Sequence, residues 1–363
     1  MSTLRKLIFW LICTVAFVAC LSFIPVTIVE TRCTASPEPR PAGNRFDIEI
    51  SGYRRAEGDS YLTFPEWYIV YAYDDLAGVT RQSSESAFDY VQSIRGFWTS
   101  LCGSTVTASA IGSGTLDQRI TNYVIGLSFT AEMGLKGLYE RTIGALTVLA
   151  RDAKRTPEDE FALRLLDDYA AFLRQTPWFR YPFGPELVRF WKETPLSGGN
   201  PIRRFERRIA LTLEYATKAV YARAIGWLAS YSPADLQIMS VVDRLEEADL
   251  RADKRVRKVA DLDDGFVLIE TPRYQEFTDI VRGLGARGRH LSEIAGNRRI
   301  LVTVLTPSQD VVEVTGAKEI FSIPVQSQPG WRRAGLDVEV AHLTQMISAV
   351  ELRAAVFEHA YDY

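Results

Sequence analysis

Lys258-Val259-Ala260-Asp261-Leu262-Asp263-Asp264-Gly265-Phe266-Val267-Leu268-Ile269-Glu270 divides the chain into two kinds of sequence. Val259 and Leu262 precede an Asp-Asp-Gly turn and four consecutive apolar residues follow it, which reads as a hairpin feeding a strand. Before about Ser232 the apolar residues return every three or four positions, the helical period. Beyond the hairpin, Pro272 to Leu284 fits a helix, Arg299 to Leu305 a buried strand and Lys318 to Val325 another. Gly335 to Val340 reads as a short strand, Ala341 to Val350 as a helix and Ala354 to Tyr361 as a final strand.

The core order is strand, helix, strand, strand, helix, strand. It resembles the ferredoxin-like βαββαβ arrangement, one antiparallel sheet with helices on a single face. The resemblance covers roughly residues 254–363. A weak internal echo accompanies it, with Phe277-Thr278 and Arg287 falling 66 residues before Leu343-Thr344 and Arg353. The fold class expected is therefore α+β: an N-terminal transmembrane helix, a mainly α-helical domain over 46–232 and a ferredoxin-like domain over 233–363. The order implies an architecture and no activity, because this fold carries many functions.

Within the helical domain, Gly103 to Gly114 reads as a Ser/Thr/Gly loop and Pro195 to Pro201 as a second loop. Thr156-Pro157-Glu158-Asp159-Glu160 reads as a helix start, since proline suits the first turn and acids complement the positive end of the helix dipole. Phe46 to Ile50 reads as a short strand. Six aromatics between Tyr61 and Tyr73 are read first as core and second as a surface for sugars or a bilayer interface. Arg203-Arg204-Phe205-Glu206-Arg207-Arg208 is read as a solvated face, with docking on anionic lipid as the minority reading.

Residues 130–146 can be laid over 212–228 at an offset of 82 with eight identities in 17 positions, which suggests a duplicated helix. Phe97-Trp98 and Phe190-Trp191 precede the two copies. At about 100° per residue, Glu132, Lys136 and Tyr139 share one stripe, and so do Glu214, Lys218 and Tyr221. If the copies pack side by side, two carboxylates and two lysines meet in a partly buried site suited to acid-base work. The plainer reading is a pair of structural Glu-to-Lys bridges. These six are the candidate catalytic residues.

At the N-terminus, Leu7 to Val29 is an uncharged apolar run directly after Arg5 and Lys6. It exceeds the roughly 20 residues that cross a hydrocarbon core and the 7 to 15 of a cleaved signal. Residues 1–6 are then cytosolic, 7–29 span the bilayer and 30–45 form a Pro-rich spacer. The bulk of the chain is expected on the periplasmic side of a bacterial inner membrane. Cys33 and Cys102 lie outside the span, where a disulfide between them and two unrelated thiols are both open readings.

The remaining signals exclude more than they assign. A net charge of -3 gives no basic field for nucleic acid. His290, His342 and His359 have no metal-ligand spacing, and no cofactor motif is present. Gly283-Leu-Gly285-Ala-Arg-Gly288 matches a dinucleotide fingerprint in letters, but a helix precedes it and a strand follows, so its glycines read as a helix end. The expectation is a membrane-anchored extracytoplasmic binding or envelope-assembly component, with the bilayer and an envelope protein as partners. The alternative is a membrane-tethered hydrolase or transferase using the Glu/Lys/Tyr stripes.

Overall fold

The computed structural model describes residues 23–37, 46, 48–151, 154–228, 236–310, 314–352 and 355–363. It combines a helical bundle with antiparallel sheets, an α+β protein. The helices are α1 (Ile24–Arg32), α2 (Gly58–Gln82), α3 (Tyr90–Ala110), α4 (Leu116–Tyr139), α5 (Ala145–Leu149), α6 (Pro157–Leu173), α7 (Phe183–Glu193) and α8 (Pro201–Leu228). A π turn, Glu140–Gly144, joins α4 to α5. Capping boxes start α4 at Thr115 and α6 at Thr156, where side chain and backbone satisfy each other's free groups.

The C-terminal region carries two sheets where a single βαββαβ unit was expected. β1 (Gln237–Asp243), α9 (Glu247–Ala252), β2 (Arg257–Asp261), β3 (Phe266–Pro272), α10 (Gln275–Ala286) and β4 (Leu291–Ile294) form the first, in the order β2-β3-β1-β4. β5 (Arg299–Pro307), β6 (Ala317–Pro324), β7 (Trp331–Glu339), α11 (Leu343–Glu351) and β8 (Val356–Tyr361) form the second, in the order β6-β7-β5-β8. Every pairing is antiparallel and the two orders are the same. The 66-residue echo thus relates α10 to α11, the equivalent helices of two similar units. Thr278 of α10 bonds His359 of the second unit at 2.9 Å, and Thr344 of α11 bonds His290 of the first at 2.7 Å. The contact is reciprocal.

Side-chain alternation along β5 explains how the layers stack. Ile300, Val302 and Val304 enter a core shared by both sheets with α10 and α11. Leu301 faces the other way, into the helical bundle. A strand buried on both faces reads as a continuous apolar run. The outer face of the first sheet is covered by Ile48 and Tyr53, packed on Val241 and Leu268. Residues 48–50 are not a strand; they act as a cover.

The aromatic segment of α2 is the seam between bundle and second sheet, and its six aromatic side chains are buried. Tyr61 donates to Asp337 Oδ1 at 2.6 Å, Ser60 donates to the Tyr361 carbonyl at 2.6 Å, and Phe64 meets Phe321 with ring centres 4.5 Å apart. Core packing accounts for these rings.

Two further expectations need correction. The supposed loop from Gly103 to Gly114 is helical as far as Ala110, and Thr105, Thr107 and Ser109 satisfy their hydroxyls within the helix on carbonyls four residues back. Gly103 is there for packing: a Cβ on it would lie 2.5 Å from the Ile320 carbonyl oxygen of β6. The spacer, too, is partly docked. Cys33 is buried and disulfide-bonded to Cys102, and the Ala35 amide donates to Ser109 Oγ at 2.9 Å. Residues 38–45 lie outside the described residues, as do residues 1–22 of the N-terminal run. Among the described residues no helix is long and apolar enough to cross a membrane.

Gly103→Ala should cost about 1–3 kcal/mol by overpacking α3 on β6. Urea denaturation should give a lower midpoint with an unchanged slope. A midpoint equal to that of the parent protein would mean that α3 does not rest on β6 at this point.

Candidate functional site

α4 and α8 lie antiparallel with their Glu-Lys stripes facing each other. Lys218 reaches Glu132 at 2.7 Å and Lys136 reaches Glu214 at 3.0 Å, so each helix's lysine bonds the other helix's glutamate. Lys218 also bonds Glu214 of its own helix at 3.0 Å. Each helix also accepts a similar contact: Trp98 donates to Thr130 of α4 at 3.0 Å, and Trp191 donates to Thr212 of α8 at 3.0 Å. The tyrosines diverge. Tyr139 donates to Glu206, while Tyr221 is exposed and stacks on Trp178. Four of the six candidate residues therefore meet, Tyr139 joins them through Glu206, and Tyr221 belongs to another surface.

The cluster is larger than the sequence stripes. From Lys136 it continues to Glu85 at 2.9 Å, then Arg207 at 3.2 Å, Glu206 at 2.8 Å and Arg203 at 2.9 Å. It ends through Asp159 at 2.8 Å and Arg151 at 2.7 Å. From Glu132 to Arg151 the signs alternate without a break. Beside it, Glu158 holds Arg204 at 3.0 Å and Arg208 at 2.9 Å. The four arginines of 203–208 are buried, whereas Phe205 between them and Ile202 and Ile209 on either side are exposed. The reading of this segment as a solvated or lipid-docking basic face is corrected: its cations point inward and its apolar residues outward. The 3.6-residue period was the available signal, since Arg203, Arg207, Glu214 and Lys218 fall on one side of α8 and Phe205, Ile209, Leu213 and Val220 on the other.

Burial alone would raise the Glu214 carboxyl, but Lys136 and Lys218 outweigh it and hold the group well below the usual carboxylate range. Burial alone would lower both lysines, and their glutamates hold them well above the usual lysine range. Lys218 is further surrounded by the rings of Tyr73, Tyr169 and Phe183, with centres 5.0, 5.4 and 5.8 Å from Nζ. All three groups are locked in their charged forms at neutral pH, whereas general acid-base chemistry favours a group near its midpoint.

Glu140 is the exception. It hangs off Arg207 at 2.6 Å as an additional acid outside the alternation. Burial first, and then the charge of Glu85, push its carboxyl up to about 7. It opens the π turn, and Gly144 leaves the space that its second oxygen occupies. Next to the charge chain, Thr80, Ser84, Glu85, Arg151, Asp159 and Arg203 line a cavity of about 10 Å³. That is room for one water.

No protein-family model, curated protein or solved structure matches this chain. The reading of the site therefore rests on its geometry. Among the described residues no cluster of His, Cys, Asp and Glu is arranged to hold a metal ion.

Glu214→Gln should destabilise the protein by about 3–5 kcal/mol, because it leaves two buried lysines short of a partner. A thermal shift of only a degree or so would show that the pairs are not coupled. For Glu140 the sign is opposite. Its carboxyl binds a proton more tightly folded than unfolded, so its contribution is present below the unfolded value of 4.5 and is lost as pH rises towards about 7. Glu140→Gln cannot ionise, so its stability relative to the parent should rise between pH 4.5 and 7 by roughly 1–3 kcal/mol. A gap that stays constant with pH would refute the assignment.

Proposed function

We propose that the protein is a membrane-anchored, extracytoplasmic binding or assembly component, held at a bacterial inner membrane by residues 7–29 with its folded part on the periplasmic side. The observation that carries this reading is the way α1, the continuation of the apolar run, is fastened to the bundle. Cys33 is bonded to Cys102, and Glu30 accepts from Arg119 at 3.0 Å and from Tyr123 at 2.7 Å. The folded part is then clamped to its span with no free tether between them. A disulfide also suits an oxidising compartment. On this reading the helical bundle, not the sheets, lies next to the bilayer, and the bonds from Arg119 and Tyr123 to Glu30 support that.

The rival reading, a membrane-tethered hydrolase or transferase, draws support from Glu140, whose proton affinity near neutrality suits an acid or base. The ion pairs of Glu132, Glu214 and both lysines, and a cavity the size of one water, favour an architectural role for the cluster.

The full chain should remain in the membrane pellet through alkaline carbonate washing. Cys33 and Cys102 should resist alkylation until a reductant is added. Release into the wash would remove the anchor from the proposal, and free thiols at both positions would remove the clamp.

A further inference from the structure

The charge pattern of α4 and α8 is inverted relative to a helix on the surface of a water-soluble bundle. Amphipathic helices ordinarily turn their charges to water and their apolar stripe to the core. Here Glu132, Lys136, Glu214 and Lys218 pair between the helices, while Val124, Leu135, Leu138 and Leu149 are between 54% and 82% exposed on one side. Phe205, Leu213, Val220 and Trp227 are between 64% and 83% exposed on the other. From Ile120 to Leu138 no fully exposed residue of α4 carries a charge, and from Ile202 to Ala222 the same holds for α8. Glu132, which is partly exposed, is held by Lys218 and Tyr73. Arg141 is drawn aside to Asp89 at 3.2 Å.

We infer that this two-helix face rests in the acyl region of the bilayer that the chain's own anchor crosses. Several observations select lipid as the occupant. Glu30 ties the end of α1 to Arg119 and Tyr123 at the start of α4, so the apolar run leaves from the edge of the face. Phe23, Ile24 and Ile28 continue the exposed apolar surface onto α1. Arg119, Tyr123, Arg223 and Trp227 gather at that same end of the antiparallel pair, a mixture of basic and aromatic side chains suited to the headgroup level. The ion pairs behind the face alternate in sign, so a low-dielectric neighbour meets no uncompensated charge. The face runs from Ile120 to Leu149, about 45 Å at 1.5 Å per residue. That exceeds a hydrocarbon core of about 30 Å, which fits helices lying along the membrane better than a crossing.

The inference rests on the anchor proposed above, and the test separates the two. The full chain, with Cys13 and Cys20 replaced by alanine and the Cys33–Cys102 bond kept, is reconstituted in vesicles of phosphatidylcholine and phosphatidylglycerol. Single nitroxide labels are placed through Val124→Cys, Leu138→Cys, Leu213→Cys and Val220→Cys, with Glu160→Cys and Asp261→Cys as exposed references. All six positions are on accessible surface, and an unchanged thermal midpoint confirms folding for each. Oxygen should relax the four face labels several-fold more strongly than a water-soluble nickel chelate does, with the order reversed at the two references. Nickel access at the face equal to that at Asp261 would place it in water and overturn the inference. Exclusion of both reagents would mean that protein, a second copy or a partner, covers the face, and would overturn it equally. A chain that fails to float with the vesicles would instead bring down the anchor.

Discussion

Burying a charge is tolerable only beside its opposite, and that constraint sets the rotation of α8 and, through it, the whole bundle. Arg203, Arg207, Glu214 and Lys218 recur along one side of the helix, and each must find a counter-charge on α4, on α6 or on the segment holding Glu85. Turning α8 by half a revolution would leave all of those partners stranded in the interior. The rotation that satisfies the charges also decides that Phe205, Leu213 and Val220 have nowhere to go but outward. The polar interior and the apolar exterior are one decision.

A second constraint joins the bundle to the sheets. α2 spends its aromatic face on the second sheet, with Trp67 against His359 at 3.7 Å between ring centres and Tyr71 sharing a hydrogen bond with Tyr361 at 2.8 Å. His359 is fully buried, and burial first, with the charge of Arg174 second, holds it well below its usual range, so it stays neutral beneath the indole. Its Nδ1 is engaged by Thr278 of the other sheet unit. One histidine thus touches the bundle through Trp67 and the first unit through Thr278. The two sheet units and the bundle are coupled through side chains that each sit at two interfaces.

How much of this was legible follows from where the chain obeys local rules. β5 announced itself because it is buried on both faces, and the start of α6 because Pro157 and the acids Glu158, Asp159 and Glu160 follow Thr156 directly. β1 and β4 passed unnoticed. β1 carries the polar Ser240 inside its apolar run, and β4 has four residues, too short a window for period to register. Missing them turned two units into one. The 66-residue echo was visible, but its meaning required knowing that α10 and α11 each precede a closing strand. At the site, spacing put Glu132 with Lys136 and Glu214 with Lys218 on one stripe each, but did not show that each lysine pairs with the other helix's glutamate. Glu85 and Glu140 were not legible, because their positions are set by a short 3-10 turn and a π turn that no periodicity describes, whereas Arg207 shares the period of Glu214 and Lys218. The arginine run was misread for a general reason: six residues with four cations imply water unless acids from elsewhere in the chain are counted.

The π turn completes the argument. A π turn inserts one residue into a helix and shifts the phase of everything beyond it by about 100°. Without it, α4 and α5 would form one straight helix, in which Leu146 would fall about 40° from Glu132, on the inward stripe. With it, Thr147 donates to Glu206 at 3.0 Å, so the two helices stay in polar contact past the turn. The same shift keeps Leu146 and Leu149 outward, extending the apolar exterior begun by Val124 and Leu135. Glu140 occupies the turn itself, which is why it enters the charge chain as an extra acid, with its proton affinity raised by burial and by the charge of Glu85.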